Sequence, residues 1–268
     1  MKFTGERYLP GVEGFIKSEH IHRYILASEY VENKLVLDIA CGEGYGSNLL
    51  ASRADKVIGC DFDTKSINHA NGKYKKKNLQ FDQGCITQLP YQDHTFDVII
   101  CFETIEHVEN YNLAMKELQR VLKESGILIM STPNKSEYSD KRNFNNIFHK
   151  HEFYIAEYKE WLISVFKFNT FLYQKPIFGS IIQNFEKTII TSYKGDLEEY
   201  NSFSFNEFKY IISISSNVNV IIVPTSHYYD NNYQAYISNQ IKGSLSYKIG
   251  HYILFPFKLI KKWIQSLL

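Results

Sequence analysis

Leu35-Val36-Leu37-Asp38-Ile39-Ala40-Cys41-Gly42-Glu43-Gly44-Tyr45-Gly46 decides the fold. Leu35 to Ile39 is an apolar run of the length that one buried strand needs. A turn of small residues follows, with glycines at 42, 44 and 46, where positive φ and close approach of a ligand are both allowed. Ser47 to Arg53 reads as a helix, and Lys56 to Cys60 as a second strand that ends at Asp61. Strand, glycine turn, helix, strand and acid make the nucleotide-binding half of a doubly wound α/β sheet, with the acid placed for ribose hydroxyls. Working outward, further strands are expected at residues 79–83, 96–102, 127–131, 169–174 and 210–215, with 218–223 a rival for the last. Helices are expected at 18–33, 64–73, 112–123 and 154–166. The 112–123 helix should turn Leu113, Leu118, Val121 and Leu122 inward and stop at Gly126.

The glycine spacing narrows the ligand. Dinucleotide folds use G-x-G-x-x-G, whereas this turn reads G-x-G-x-G behind Asp38. That pattern resembles the class I S-adenosylmethionine (AdoMet) methyltransferases, whose first motif is an acid followed by G-x-G-x-G. AdoMet has no pyrophosphate to seat on a helix N-terminus. Its methionine end is a zwitterion, which needs a close backbone turn and an acid within reach of the ammonium. A glycine turn without a ligand is the alternative, and Asp38 and Asp61 at strand ends argue against it. The same spacing disfavours nicotinamide-dependent oxidoreduction. The resemblance implies a Rossmann-like, doubly wound, seven-stranded sheet over residues 1–230, with residues 1–34 as a lid and 134–205 as substrate-side insertions, and a tail over 231–268. It also implies AdoMet contacts at Asp38, Ala40, Gly42, Gly44, Gly46, Asp61, Phe62, Cys85, Ile86 and Phe102. Cys85 departs from the acid or small polar residue common at its position, and a thiol is a weak hydrogen-bonding group.

With 44% hydrophobic and 22% charged residues among 268, the chain has the composition of a soluble globular protein. A net charge of +1 gives no basic excess, so no nucleic-acid partner is expected. Cys41, Cys60, Cys85 and Cys101 lack metal-ligand spacing and read as buried free thiols of a reducing cytosol. The opening residues carry no apolar signal core, and no apolar run reaches the roughly 20 residues of a membrane span. A cytoplasmic location follows as an expectation. From Pro256, residues Phe257, Ile260, Ile264, Leu267 and Leu268 form one helical stripe, with Lys258, Lys261 and Lys262 opposite. Such a C-terminal amphipathic helix suits peripheral contact with the inner membrane face, or docking on its own domain or a partner.

Chemistry should sit after the 96–102 strand, at Glu103-Thr104-Ile105-Glu106-His107. In AdoMet the sulfonium already activates the methyl group, so the protein must align a nucleophile, exclude water and remove a proton. Glu103, Glu106 and His107 are the catalytic candidates, with Glu103 and His107 on one face if a helix has begun there. Glu-x-x-Glu-His is similar to the metal-binding motif of some small-RNA 2′-O-methyltransferases and ubiquinone-pathway O-methyltransferases. That likeness implies a divalent metal on Glu103, Glu106, His107 and a later histidine, His149 or His151. Three readings stay open: a metal site, His107 as an unassisted base, or a structural cap. Gly5-Glu6-Arg7-Tyr8-Leu9-Pro10 together with Glu19-His20-Ile21-His22-Arg23-Tyr24 resembles a bacterial subgroup found among cell-surface polysaccharide biosynthesis enzymes. This implies a carbohydrate or phosphorylated acceptor, met by Arg7, His20, Arg23 and His149. A quinone- or lipid-type small-molecule methyltransferase, and a non-catalytic scaffold in a glycan-assembly complex, are the alternatives.

Overall fold

The computed structural model describes residues 10, 14–177, 179–184, 192–195, 200–203, 208–221, 225–229 and 233–244. In chain order these form α1 (Phe15–Ser28), β1 (Leu35–Ile39), α2 (Tyr45–Leu50), β2 (Lys56–Asp61), α3 (Thr64–Lys73), β3 (Leu79–Gln83) and β4 (Phe96–Phe102). Then come α4 (Tyr111–Val121), β5 (Leu122–Pro133), α5 (Ile155–Val165), β6 (Phe168–Ile177), β7 (Gly179–Gln183), β8 (Ser192–Gly195), β9 (Tyr200–Phe203), β10 (Tyr210–Ser216) and β11 (Ser226–Tyr228). A 3-10 turn at Ile105–His107 follows β4, and a π-helical turn at Ser136–Asp140 follows β5. Tyr229–Leu268 is a unit of its own, in which α6 spans Tyr233–Gly243.

Among the described residues nine strands, not seven, join in one sheet in the order β11-β7-β6-β10-β5-β4-β1-β2-β3. β1 to β5 run parallel, and β10 lies antiparallel between β5 and β6. The seven expected strands make its body, and β7 and β11 extend the β6 edge. β8 and β9 pair apart from it. Period-2 alternation sorts the core onto both faces. Leu37, Ile39, Ile99, Cys101, Leu128 and Met130 face Met115, Leu118, Tyr158 and Leu162 of α4 and α5. Val36, Val98, Ile100, Ile129 and Ile212 share the opposite cluster with Tyr24, Ala27, Val31 and Leu50 around α1 and α2. Helices on both faces are what buried parallel strands require.

Some expectations are corrected. α4 ends at Val121 and Leu122 already belongs to β5, so Gly126 stops no helix. Phe96 pairs with Leu122 but Val98 with Ile127, and the intervening residues bulge out. A side chain at Gly126 would press on Leu122 at 2.5 Å, so glycine serves the bulge. Leu113 is 43% exposed, because the inward stripe of α4 is Ala114, Met115, Leu118 and Val121. Cys41, Cys60 and Cys101 are buried, but Cys85 is exposed in the loop after β3. Residues 218–221 form no strand, and β10 takes that slot. Gly5 to Leu9 and the helix expected within 252–268 lie outside the described residues. Among the described residues no helix is long and apolar enough to cross a membrane.

α1 packs on α2, β6, β7 and β11. Its Tyr24 ring sits so close over the glycine turn that a Cβ at Gly46 would lie 2.0 Å from the ring. Gly46→Ala should therefore destabilise the fold by about 1–3 kcal/mol, the usual cost of overpacking. Urea denaturation checks this, and the same substitution should cost much less in a Tyr24→Ala background, where the obstructing ring is gone.

Candidate functional site

The carboxyl ends of β1, β2 and β4 open on one edge, where parallel sheets hold ligands. Ala40, Gly42 and Gly44 take left-handed backbone, with φ of 58°, 57° and 88°, and so reverse the chain from β1 into α2. The glycines serve different ends. A Cβ at Gly44 would strike the Phe81 ring at 2.6 Å and Ala70 at 2.9 Å, so that turn is pressed against β3 and α3. A Cβ at Gly42 would meet nothing within 4 Å, so there the backbone faces open space.

Three carboxylates hold this turn. Asp61 Oδ2 accepts from the Gly42 N–H at 2.8 Å and Oδ1 from the Asp63 N–H at 2.9 Å. Asp38 is buried and accepts from the Ser47 hydroxyl at 2.6 Å and the Tyr24 hydroxyl at 3.1 Å. Burial pushes the Asp38 carboxyl up to about 7; the Ser47 and Tyr24 hydrogen bonds oppose this, and the Asp61 charge adds to it. Glu43, which sequence reasoning missed, is 3% exposed and is bonded by Lys73 (2.9 Å), His69 (3.0 Å) and the Tyr74 hydroxyl (3.0 Å). It pins the turn to α3; the available signal was a lone acid between two glycines. Of the other expected contacts, Phe102 is buried edge-on to Tyr24 with centroids 5.2 Å apart, and Ile86 is 9% exposed in the core. Phe62 is 71% exposed, and Cys85 Sγ lies 3.1 Å from Thr87 Oγ1.

At the end of β4, Glu103 has φ 46°, and its Oε1 accepts from the Ser131 hydroxyl at 2.6 Å. It precedes the 3-10 turn, so it does not share a helical face with His107, contrary to expectation. Left-handed backbone aims Glu103 at β5 instead. Glu106 is 1% exposed and accepts from the Thr132 hydroxyl at 3.2 Å. Burial, reinforced by the Glu103 charge, holds its carboxyl well above the usual range. The Glu106 carbonyl accepts from the N–H groups of Lys150 (2.7 Å) and His151 (3.1 Å), which ties the 146–151 segment to the turn. The Phe148 carbonyl can only accept, so His107 Nδ1 is the donor of their 3.1 Å hydrogen bond. The His149 ring stands edge-on to His107 at 4.8 Å and bonds Glu152 at 2.5 Å and Asn146 at 3.0 Å. Ligand atoms of Glu106, His107 and His149 lie within 4.8 Å of one another, a group able to hold a divalent cation. Glu103 and His151 stand outside it; His151 bonds Glu157 at 2.7 Å.

The residues expected to reach an acceptor from α1 are placed differently. Arg23 is fully enclosed; Nη1 donates to Gln174 at 2.8 Å, and the guanidinium lies 4.7 Å from the Tyr210 ring centroid and 3.8 Å from Glu103. Its Nε and Nη2 have no hydrogen-bond partner among the described residues. His20 Nδ1 lies 2.8 Å from the Tyr45 hydroxyl, and burial, with the charges of Arg23 and Lys209, keeps the ring neutral. Arg7 lies outside the described residues.

Asp38 sets a pH test. Between about pH 4 and 7 the folded chain keeps a proton on Asp38 that the unfolded chain has lost. Its contribution to stability is therefore full at low pH and disappears as pH rises through about 7. The stability of the wild type relative to Asp38→Asn should fall between about pH 4 and 7 and then level off, read by urea denaturation. A difference that does not vary with pH would contradict the assignment.

Residues 31–186 match the family model of the methyltransferase domain. A probable S-adenosylmethionine-dependent methyltransferase of Mycolicibacterium smegmatis is 34% identical over 165 residues, 60% of this chain and 63% of that protein. A ubiquinone biosynthesis O-methyltransferase of Pelagibacter ubique is 34% identical over 107 residues, 40% of this chain and 45% of that one. The chain thus spans less than two thirds of the length of these curated relatives. The crystal structure of the YcgJ protein from Bacillus subtilis shares the fold, with a TM-score of 0.54 at 17% identity over 75% of this chain and 100% of that one. The family match runs through the glycine turn, Asp38, Asp61 and the Glu106-His107 turn, and this chain belongs to the methyltransferase domain family.

Proposed function

We propose that this chain is an AdoMet-dependent O-methyltransferase acting on a small hydroxyl-bearing acceptor. The observation that carries this reading is the open-faced turn at Gly42, bracketed by the buried acids Asp38 and Asp61. The residues fit the cofactor. Asp38 suits its ammonium, and the Asp61 oxygens each accept one backbone donor and retain a lone pair for ribose hydroxyls. When bound, AdoMet supplies a methyl group already activated by its sulfonium.

The chain's own residues then orient and deprotonate the acceptor. His107, oriented through Nδ1 by the Phe148 carbonyl, is the proposed base, acting through Nε2. The Glu106, His107 and His149 group favours a second reading, in which a divalent cation lowers the hydroxyl's pKa. The ubiquinone-biosynthesis relative supports a small-molecule acceptor. A sugar hydroxyl or phosphate of surface-polysaccharide biosynthesis is the finer form of the same proposal, and it rests on the motif likeness alone. A cytoplasmic site of action, with membrane contact through residues 252–268, belongs to it as well.

Asp61→Ala should weaken AdoMet binding by about tenfold or more in calorimetry, through loss of charge-assisted hydrogen bonds; equal affinity would overturn the cofactor assignment. His107→Ala should keep AdoMet affinity but slow release of demethylated cofactor with a cell-extract acceptor pool by about 10²–10⁴-fold. Exhaustive chelation separates the two readings: turnover lost and restored by added manganese or magnesium favours the cation, and unchanged turnover favours the unassisted base.

A further inference from the structure

A cavity of about 160 Å³ is lined by Glu137, Arg142, Lys175, Pro176 and Lys209. Its walls come from separate stretches of chain that the sheet brings together. Lys175 and Pro176 lie near the end of β6, Lys209 immediately precedes β10, and Glu137 and Arg142 come from the π-helical turn and the residues after it. β5 and β6 both pair antiparallel with β10, so β6 runs parallel to β5. The carboxyl end of β6 therefore stands on the same edge as those of β1, β4 and β5, the ligand-binding edge of such sheets.

Among the described residues three cations line this cavity against one carboxylate, and that carboxylate, Glu137, is also bonded by Lys141 at 3.3 Å. Lys209 is held by the fully buried Glu19 at 3.1 and 3.2 Å and lies 4.8 Å from the Tyr210 ring centroid. Arg142 lies over the rings of Tyr138 at 5.8 Å and Phe144 at 5.6 Å. Lys209 also approaches the Tyr138 ring, at 5.9 Å, and that ring packs against His149 at 5.4 Å. One aromatic ring thus separates the basic cavity from the Glu106, His107 and His149 group.

We propose that Arg142, Lys175 and Lys209 form an oxyanion subsite that holds a carboxylate or phosphate carried by the methyl acceptor, one tyrosine ring away from the reacting hydroxyl. The proposal depends on the methyltransferase reading for the identity of the bound molecule as acceptor; the affinity for an oxyanion does not depend on it. A guanidinium matches the planar fork of such anions and lysines add point charge, and the concave wall strengthens both. The acceptor is then a molecule with two ends, a nucleophilic oxygen and an anionic group.

The test titrates the full chain with inorganic phosphate and, separately, with acetate at constant ionic strength, by calorimetry. Wild type should bind phosphate saturably, and Arg142→Ala with Lys175→Ala should weaken it by about tenfold, as loss of charge-assisted hydrogen bonds does. Glu137→Gln should act in the opposite direction and tighten binding, because it removes the carboxylate found among the described lining residues. AdoMet affinity, measured in the same proteins, should not change in any of these variants. Saturable binding of phosphate alone supports a phosphate-bearing acceptor, and binding of acetate as well supports a carboxylate-bearing one. Absence of saturable binding of either anion, or equal binding by the double variant, overturns the subsite. A wild type that binds phosphate but not AdoMet would instead contradict the methyltransferase reading and leave the anion site standing.

Discussion

The bond between the Asp61 carboxylate and the Gly42 N–H is the constraint on which the cleft depends. It joins the turn after β1 to the turn after β2, and the second oxygen of the same carboxylate secures the entry to α3 through Asp63. Left-handed backbone is free for Gly42 and Gly44 but costly for Ala40, which needs such ties to hold it. Glu43 adds the second tie by gathering His69, Lys73 and Tyr74 of the α3 region around one enclosed carboxylate. The turn is thus held by the chain's own bonds, and a turn held in this way lowers the ordering cost of binding.

α1 shows how polar groups can specify a docking arrangement. Glu19 and Arg23 are both fully enclosed, and their partners, Lys209, Tyr210 and Gln174, lie in or beside strands remote in sequence. Removing one member of a buried charged pair strands the other at a cost of several kcal/mol, roughly 3–5 by comparison with other proteins. A helix seated elsewhere on the sheet would forfeit these partners. The same helix carries Tyr24 onto Gly46 and Asp38, so its seating and the shape of the glycine turn are set together.

Much of the sheet was legible in the sequence, because its signals are local. β1, β3, β4 and α3 fall at the expected residues, since an apolar run or an amphipathic segment is bounded there by turn residues. The glycine turn was legible for the same reason. What escaped depends on contacts across the chain. The early start of β5 at Leu122 follows from its pairing with Phe96, and the bulge before Ile127 is invisible without that partner. Glu103 looked helical by spacing, but positive φ and the Ser131 hydroxyl turn it toward β5. Arg23 read as a residue that faces a ligand from a lid, and only the packing of α1 on β6 and β7 shows it enclosed. The approach of His149 to Glu106 and His107 came from likeness to other enzymes; the physical cause is the Glu106 carbonyl, which binds the N–H groups of Lys150 and His151.

Val36 lies between Val57 on one side and Val98 on the other, and that register governs how the molecule can assemble. The middle of the sheet closes only when β4, far along the chain, reaches β1, whereas β6 and β7 are close neighbours that pair across a short connection. Loop-closure entropy must be met before the distant pairing is rewarded, so the hairpin can form early and the centre late. Until both neighbours pair with it, Val98-Ile99-Ile100-Cys101 is an uncharged strand with open edges, a composition that favours self-association.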